Sequence, residues 1–135
     1  MTNNNKEVIS FTHLIKDRPL LAVLLFAFIV RLMFMWIYPD QHFPDAAAYK
    51  AIGEEIFAGK MITNNIYMPL YPMWSYITGG GIVQILMDIV ISVISVWLIF
   101  LLSFCLFKDR LAAILSSIIA ALYPHFLFYS VSGLT

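Results

Sequence analysis

The sequence predicts an all-α integral membrane protein with three transmembrane helices and an amphipathic interfacial helix in the first outer loop. Three observations carry this. The chain is 61% hydrophobic and 12% charged, where a soluble domain has about 45–50% apolar and about 25% charged residues. Three apolar runs each reach the roughly 20 residues needed to cross a ~30 Å hydrocarbon core. Between the first two runs lies a partly polar segment of helical periodicity, HFPDAAAYKAIGEEIFAG, from His42 to Gly59. The formal net charge is zero, which removes the electrostatic case for a nucleic-acid partner. The lipid bilayer is the first partner the composition implies.

Residues 1–17 read as a cytoplasmic tail, and residues 18–38 as transmembrane helix 1. Pro19 suits the first turn of a helix, where its missing N–H costs nothing. The run from Leu20 to Tyr38 is too long for a signal-peptide core, and no small-x-small cleavage site follows it. Trp36 and Tyr38 mark the far interface. Residues 39–81 form the outer loop, with the interfacial helix over 45–58. Asp45 follows Pro44 and fits an N-cap, and Gly59 fits a C′ stop. Tyr49, Ile52 and Ile56 fall on one face, with Lys50 and Glu54 opposite, the pattern of a helix lying in the interface. In the MPLYPMW block, Pro69 and Pro72 are expected to break regular structure. The rings there suit the headgroup layer, so the loop is expected to re-enter the interface.

Residues 82–107 are transmembrane helix 2, residues 108–110 a cytoplasmic turn, and residues 111–129 transmembrane helix 3. Pro124 kinks or ends the third span near the far interface. Tyr123, His125, Phe126, Phe128 and Tyr129 resemble an aromatic belt there. Residues 130–135 form the outer end and the expected truncation point. The single cysteine, Cys105, excludes an intramolecular disulfide and a cysteine-based zinc site, and reads as a packing residue.

Lys6, Lys16 and Arg18 precede span one, and Lys108 and Arg110 lie between spans two and three. The positive-inside rule puts these on the cytoplasmic side and the 39–81 loop outside. The expected location is a bacterial inner (plasma) membrane with the N-terminus cytoplasmic.

Two charges fall inside the spans. Counted from the span ends, Arg31 and Asp88 both lie roughly 10 Å below the outer face. An ionised side chain in lipid costs from about 3 kcal/mol upward. Equal depth and opposite sign point to an Arg31–Asp88 tie that fixes span packing, or to a polar cavity in which Arg31 meets a phosphate; snorkelling is the third option. In the loop, Asp45 taken alone is more often a cap than a base. Asp40, His42 and Asp45 form a loose metal-capable cluster, weak as a metal site, so no cofactor is firmly implied.

The whole loop has a distinctive spacing. Asp45 comes just after a first span, Tyr49 is four residues later, Gly53 eight and Gly59 fourteen. The block Met68-Pro69-Leu70-Tyr71-Pro72 precedes the second span, and Leu122-Tyr123-Pro124 ends a third. This resembles the N-terminal part of the GT-C membrane glycosyltransferases, nearest the protein O-mannosyltransferase and lipid A aminoarabinose transferase branch (glycosyltransferase family 39). The likeness covers residues 18 to 135. It implies an enzyme that moves a sugar from a polyprenyl-phosphate carrier to a hydroxyl acceptor on a glycolipid, glycan or protein at the outer face. The family's essential loop Asp maps onto Asp45, which would take the acceptor's proton or orient the acceptor. A helix N-terminus stabilises a carboxylate and weakens it as a base, so orientation is as credible as proton abstraction. Tyr49 would bond to Asp45 or the substrate. Arg31 is the leading cation for the leaving phosphate, ahead of Lys50 and Lys60. Asp88, Pro69, Tyr71 and Pro72 take structural or cavity-lining roles. Two positions depart from the family pattern: Ala46 stands where many relatives have a second acid, and Met68 where some have a lysine. Relatives have more spans, so the resemblance reads the chain as a fragment or truncated relative that is not catalytic alone.

Two other readings compete. One is a small non-enzymatic three-span scaffold or assembly subunit using Arg31, Asp88 and Tyr49 for packing. The weaker one is a transporter half, against which the lack of an inverted repeat argues.

Overall fold

A computed structural model describes residues 18–37, 44–60 and 69–132, with the side chains of residues 44–47 outside the description. Six helices follow one another: α1 (Arg18–Ile37), α2 (Pro44–Phe57), α3 (Leu70–Thr78), α4 (Gly81–Phe107), α5 (Arg110–Leu122) and α6 (Pro124–Ser132). No strand occurs among the described residues. Two helices, α1 and α4, are long and apolar enough to cross a membrane. The pair α5 and α6 meets that test only together, bent by 50° at its break. A lipid bilayer is the environment such helices fit.

Local chemistry explains the boundaries. Gly59 adopts φ +69°, and the Gly59 and Lys60 amides donate to the Ile56 and Glu55 carbonyls at 3.1 and 2.9 Å. That is a Schellman stop, as the sequence predicts for Gly59. The expected break at Pro69 and Pro72 is overturned: the two prolines open helix α3. Pro69 is its N-cap and Pro72 sits in its first turn, where amides have no intrahelical partner to lose. Three glycines with positive φ, Gly79, Gly80 and Gly81, then reverse the chain into α4. At the other end of α4, Lys108 takes a left-handed φ of 54°, and Asp109 caps α5 by accepting from the Leu111 amide at 3.0 Å. The third apolar run is not one continuous helix. Tyr123 is extended because a residue before proline is excluded from the α region, and α6 restarts at Pro124.

Helix α4 is the centre of the bundle. It packs along α5, and α1 lies against both; α6 turns back onto α4 and α1. Small side chains permit the close approach of α5: Ala113, Ser117, Ala120 and Ala121 are all buried there. One core cluster joins Ala27, Val96, Ala120 and Ala121, and another joins Leu20, Phe100 and Ala113. These contacts set an antiparallel register in which Ala27 is level with Val96 and Arg31 with Ser92. Arg18 therefore lies at the same end of the bundle as the Lys108–Arg110 turn. Helices α2 and α3 stand together at the opposite end.

Candidate functional site

The loop helix α2 is held to the bundle by a sequence of specific contacts. Its face of Tyr49, Ile52 and Ile56 is the apolar one of the helix expected to lie in the interface, and α3 covers part of α2 along this side. Tyr49 meets Tyr71 edge-to-face at 5.0 Å, and Phe57 stacks on Tyr76 at 4.7 Å. Gly53 is where the two backbones touch. A Cβ there would lie 2.5 Å from the Pro72 carbonyl oxygen and 2.7 Å from the Tyr76 Cβ. Only hydrogen fits at that crossing.

Helix α3 is in turn bonded to the first turns of α4. Ser75 Oγ donates to Gln84 Oε1 at 3.1 Å, Gln84 Nε2 donates to the Tyr71 hydroxyl at 2.6 Å, and that hydroxyl donates to Asp88 Oδ2 at 3.4 Å. Trp74 Nε1 donates to the other carboxylate oxygen of Asp88 at 2.8 Å. Ser75, Gln84 and Asp88 are buried. A buried polar set of this kind is tolerable because its members satisfy one another.

The second polar group lies deeper. Arg31 is 0% exposed. Its Nε donates to Ser92 Oγ at 2.9 Å, and its Nη1 to the carbonyls of Ala27 and Ala121 at 3.0 and 3.4 Å. Ala121 lies in the last turn of α5, whose carbonyls lose their helical donors at the Tyr123–Pro124 break. Arg31 thus supplies a donor that the break removes. Its Nη2 is buried with no partner. None of the groups it bonds is acidic.

Of the residues the sequence singles out, Tyr49, Tyr71, Pro72 and Asp88 come together at the α2–α3–α4 junction, with Pro69 exposed at the start of α3. Lys50 and Lys60 are exposed on and just after α2. Asp40 and His42 lie outside the described residues. The backbone of Asp45 is the second residue of α2, inside its first turn and not at a cap position. Among the described residues no group of three His, Cys, Asp or Glu side chains converges.

The expected equal depth of Arg31 and Asp88 is corrected. Each bonds elsewhere, and the residue level with Arg31 is Ser92, one turn further along α4 than Asp88. The depth count fails because the contacts offset the two helices along their axes. Ile37 lies six residues beyond Arg31 and so is level with Leu86, which leaves Gly81 to Ile85 projecting about 7–8 Å past it. Trp74, Ser75, Gln84 and Ser92 are partners the sequence reading missed. Their signal was present: Gln84, Asp88 and Ser92 make a polar stripe at four-residue spacing in an otherwise apolar helix.

Comparison with protein-family models, curated proteins and solved structures finds no match to this chain.

Proposed function

We propose that this chain is the membrane portion of a glycosyltransferase of the GT-C kind. It would take a sugar from a polyprenyl-phosphate carrier and pass it to a hydroxyl acceptor at the outer membrane face. In this reading α1, α4 and the bent α5–α6 pair cross the membrane, and the α2–α3 end faces outward. Having Arg18 and the Lys108–Arg110 turn at one end of the bundle supports that orientation.

The observation that carries the proposal is Arg31. A guanidinium enclosed in apolar helices, bonded to no acid and with both N–H groups of Nη2 unused, is costly as pure architecture. It is what an anionic leaving phosphate needs. Enclosure by α1, α4 and α5 means that the carrier phosphate would enter as the break after Ala121 opens. The spacing that first suggested the family also acquires a physical purpose. Tyr49 and Gly53 hold α2 against α3, and Gly59 ends it. Together they fix a helix whose first turn contains Asp45. Asp45 would orient the acceptor hydroxyl or take its proton. Tyr49 assists, and Lys50 and Lys60 are secondary phosphate contacts.

The test is complementation. Cells lacking the gene receive the intact gene with or without Asp45→Asn, and envelope glycolipids and glycans are read by mass spectrometry. The expected result is a sugar modification restored by the unaltered gene and absent with Asp45→Asn at equal protein level. Undiminished modification with Asp45→Asn removes the assignment of Asp45.

A second reading has its own support. Arg31 ties α1 to α4 and α5, and Asp88 ties α4 to α3, as a non-enzymatic scaffold would use them. That reading expects a stable protein partner on co-purification and full tolerance of Asp45→Asn.

A further inference from the structure

Helix α3 carries no charged residue in its nine positions. Tyr71, Pro72 and Ser75 point into the junction with α2 and α4. Leu70, Met73 and Ile77 form a separate stripe at i, i+3 and i+7, and Leu70 and Ile77 are 80% and 65% exposed. The stacked Phe57–Tyr76 pair stands at its edge, with both rings partly exposed. An uncovered apolar face of this kind marks a contact surface.

Its height identifies the partner. The segment Gly81–Ile85 rises about 7–8 Å past Ile37, the last described residue of α1. The headgroup layer on each side of a ~30 Å hydrocarbon core is about 5–8 Å thick. Helix α3 runs back along α4 through those turns and beyond them: Thr78 adjoins the glycine turn, Ser75 meets Gln84, and Trp74 meets Asp88, which is two residues deeper than the level of Ile37. It therefore runs from the projecting segment to just inside the level of α1, with Ile77 towards its outer end and Leu70 at its inner end. The stripe also adjoins the start of α4, where Ile82 is 63% exposed on a helix already long and apolar enough to cross a membrane. Helix α2 differs, since its outward face includes Lys50 and Glu54.

We infer that α3 is the protein's contact with the phospholipid headgroup layer. Leu70 reaches the boundary between headgroups and acyl chains and Met73 and Ile77 lie among the headgroups, while the Lys50–Glu54 face of α2 remains in water. The inference requires that α1 and α4 cross a bilayer and is independent of glycosyl transfer.

Nitroxide labelling tests it. The full chain carrying Cys105→Ser receives Leu70→Cys, Ile77→Cys or Lys50→Cys and is reconstituted in phosphatidylcholine–phosphatidylglycerol vesicles. Removing Cys105 eliminates the exposed native thiol. Collision with oxygen, which partitions into lipid, is compared with collision with an aqueous nickel chelate. The oxygen-to-nickel ratio is expected to be several-fold higher at residues 70 and 77 than at residue 50. A ratio equal to that at residue 50 puts the stripe in water and overturns the inference. Exclusion of both reagents overturns it too, because protein and not lipid then covers the stripe.

Discussion

Asp88 and Arg31 are both charged residues buried in apolar helices, and they are held in opposite ways. Asp88 stands near the end of the bundle, and side-chain donors on α3 supply both of its oxygens. Arg31 lies deeper, leans on a hydroxyl and two carbonyls, and keeps both N–H groups of Nη2 unused. The arrangement at Asp88 is complete: its work is to fix α3, and through α3 the start of α2. The arrangement at Arg31 is incomplete in a place where incompleteness is costly. The contrast separates a residue whose bonding is used up in the architecture from one with donors left over, which the proposed phosphate would use.

Four substitutions break or sharpen that contrast. Gly53→Val should have the largest effect, because its Cβ alone meets the Pro72 backbone carbonyl as well as the Tyr76 Cβ. Overpacking of about 3 kcal/mol should detach α2 from α3. Amide exchange should accelerate across both helices and stay slow in α4 and α5. Next is Asp88→Ala, which strands the Trp74 and Tyr71 donors. About 2 kcal/mol should be lost, again read as faster exchange in α3, with Asp88→Asn recovering part of it. If Asp88→Ala leaves α3 protected, Asp88 is not its anchor. At the turn end, Asp109→Ala removes the cap on Leu111 and should cost about 1 kcal/mol. That loss belongs to α5 and leaves the exchange pattern of α2 and α3 unchanged.

Arg31→Met should be the mildest. Three hydrogen bonds disappear, but so does an uncompensated buried cation, and methionine fills the space. Thermal stability should stay within about 1 kcal/mol of the unaltered protein. A loss as large as that of Asp88→Ala would erase the contrast and favour the scaffold reading.

Much of this architecture is legible in the sequence. Helices α1 and α4, the Lys108–Arg110 turn and the Gly59 stop all follow from apolar length and local turn chemistry. Helix α3 was hidden because Pro69 and Pro72 read as breakers. A proline in a first helical turn loses nothing, and which turn it occupies depends on packing that the local sequence does not display. The Arg31–Asp88 pairing failed for a different reason: depth was counted along each run separately, and the axial offset between the two helices is set by packing. Pro124 announced an interruption, but not that Arg31 would serve the carbonyl freed there. That contact joins residues 90 positions apart, beyond the reach of periodicity. The role proposed for Asp45 rests on the family resemblance alone; taken by itself, the local sequence reads Asp45 as a helix cap.

The most direct test of the central claim concerns Arg31 and a phosphate. The intact chain in lipid nanodiscs is heated with polyprenyl phosphate, and separately with the matching polyprenyl alcohol. A ligand that binds only the folded state raises Tm in proportion to its affinity. The phosphate should raise Tm of the unaltered protein more than the alcohol does, and that difference should vanish in Arg31→Met. Equal shifts from phosphate and alcohol, or a phosphate-specific shift that persists in Arg31→Met, would contradict the account.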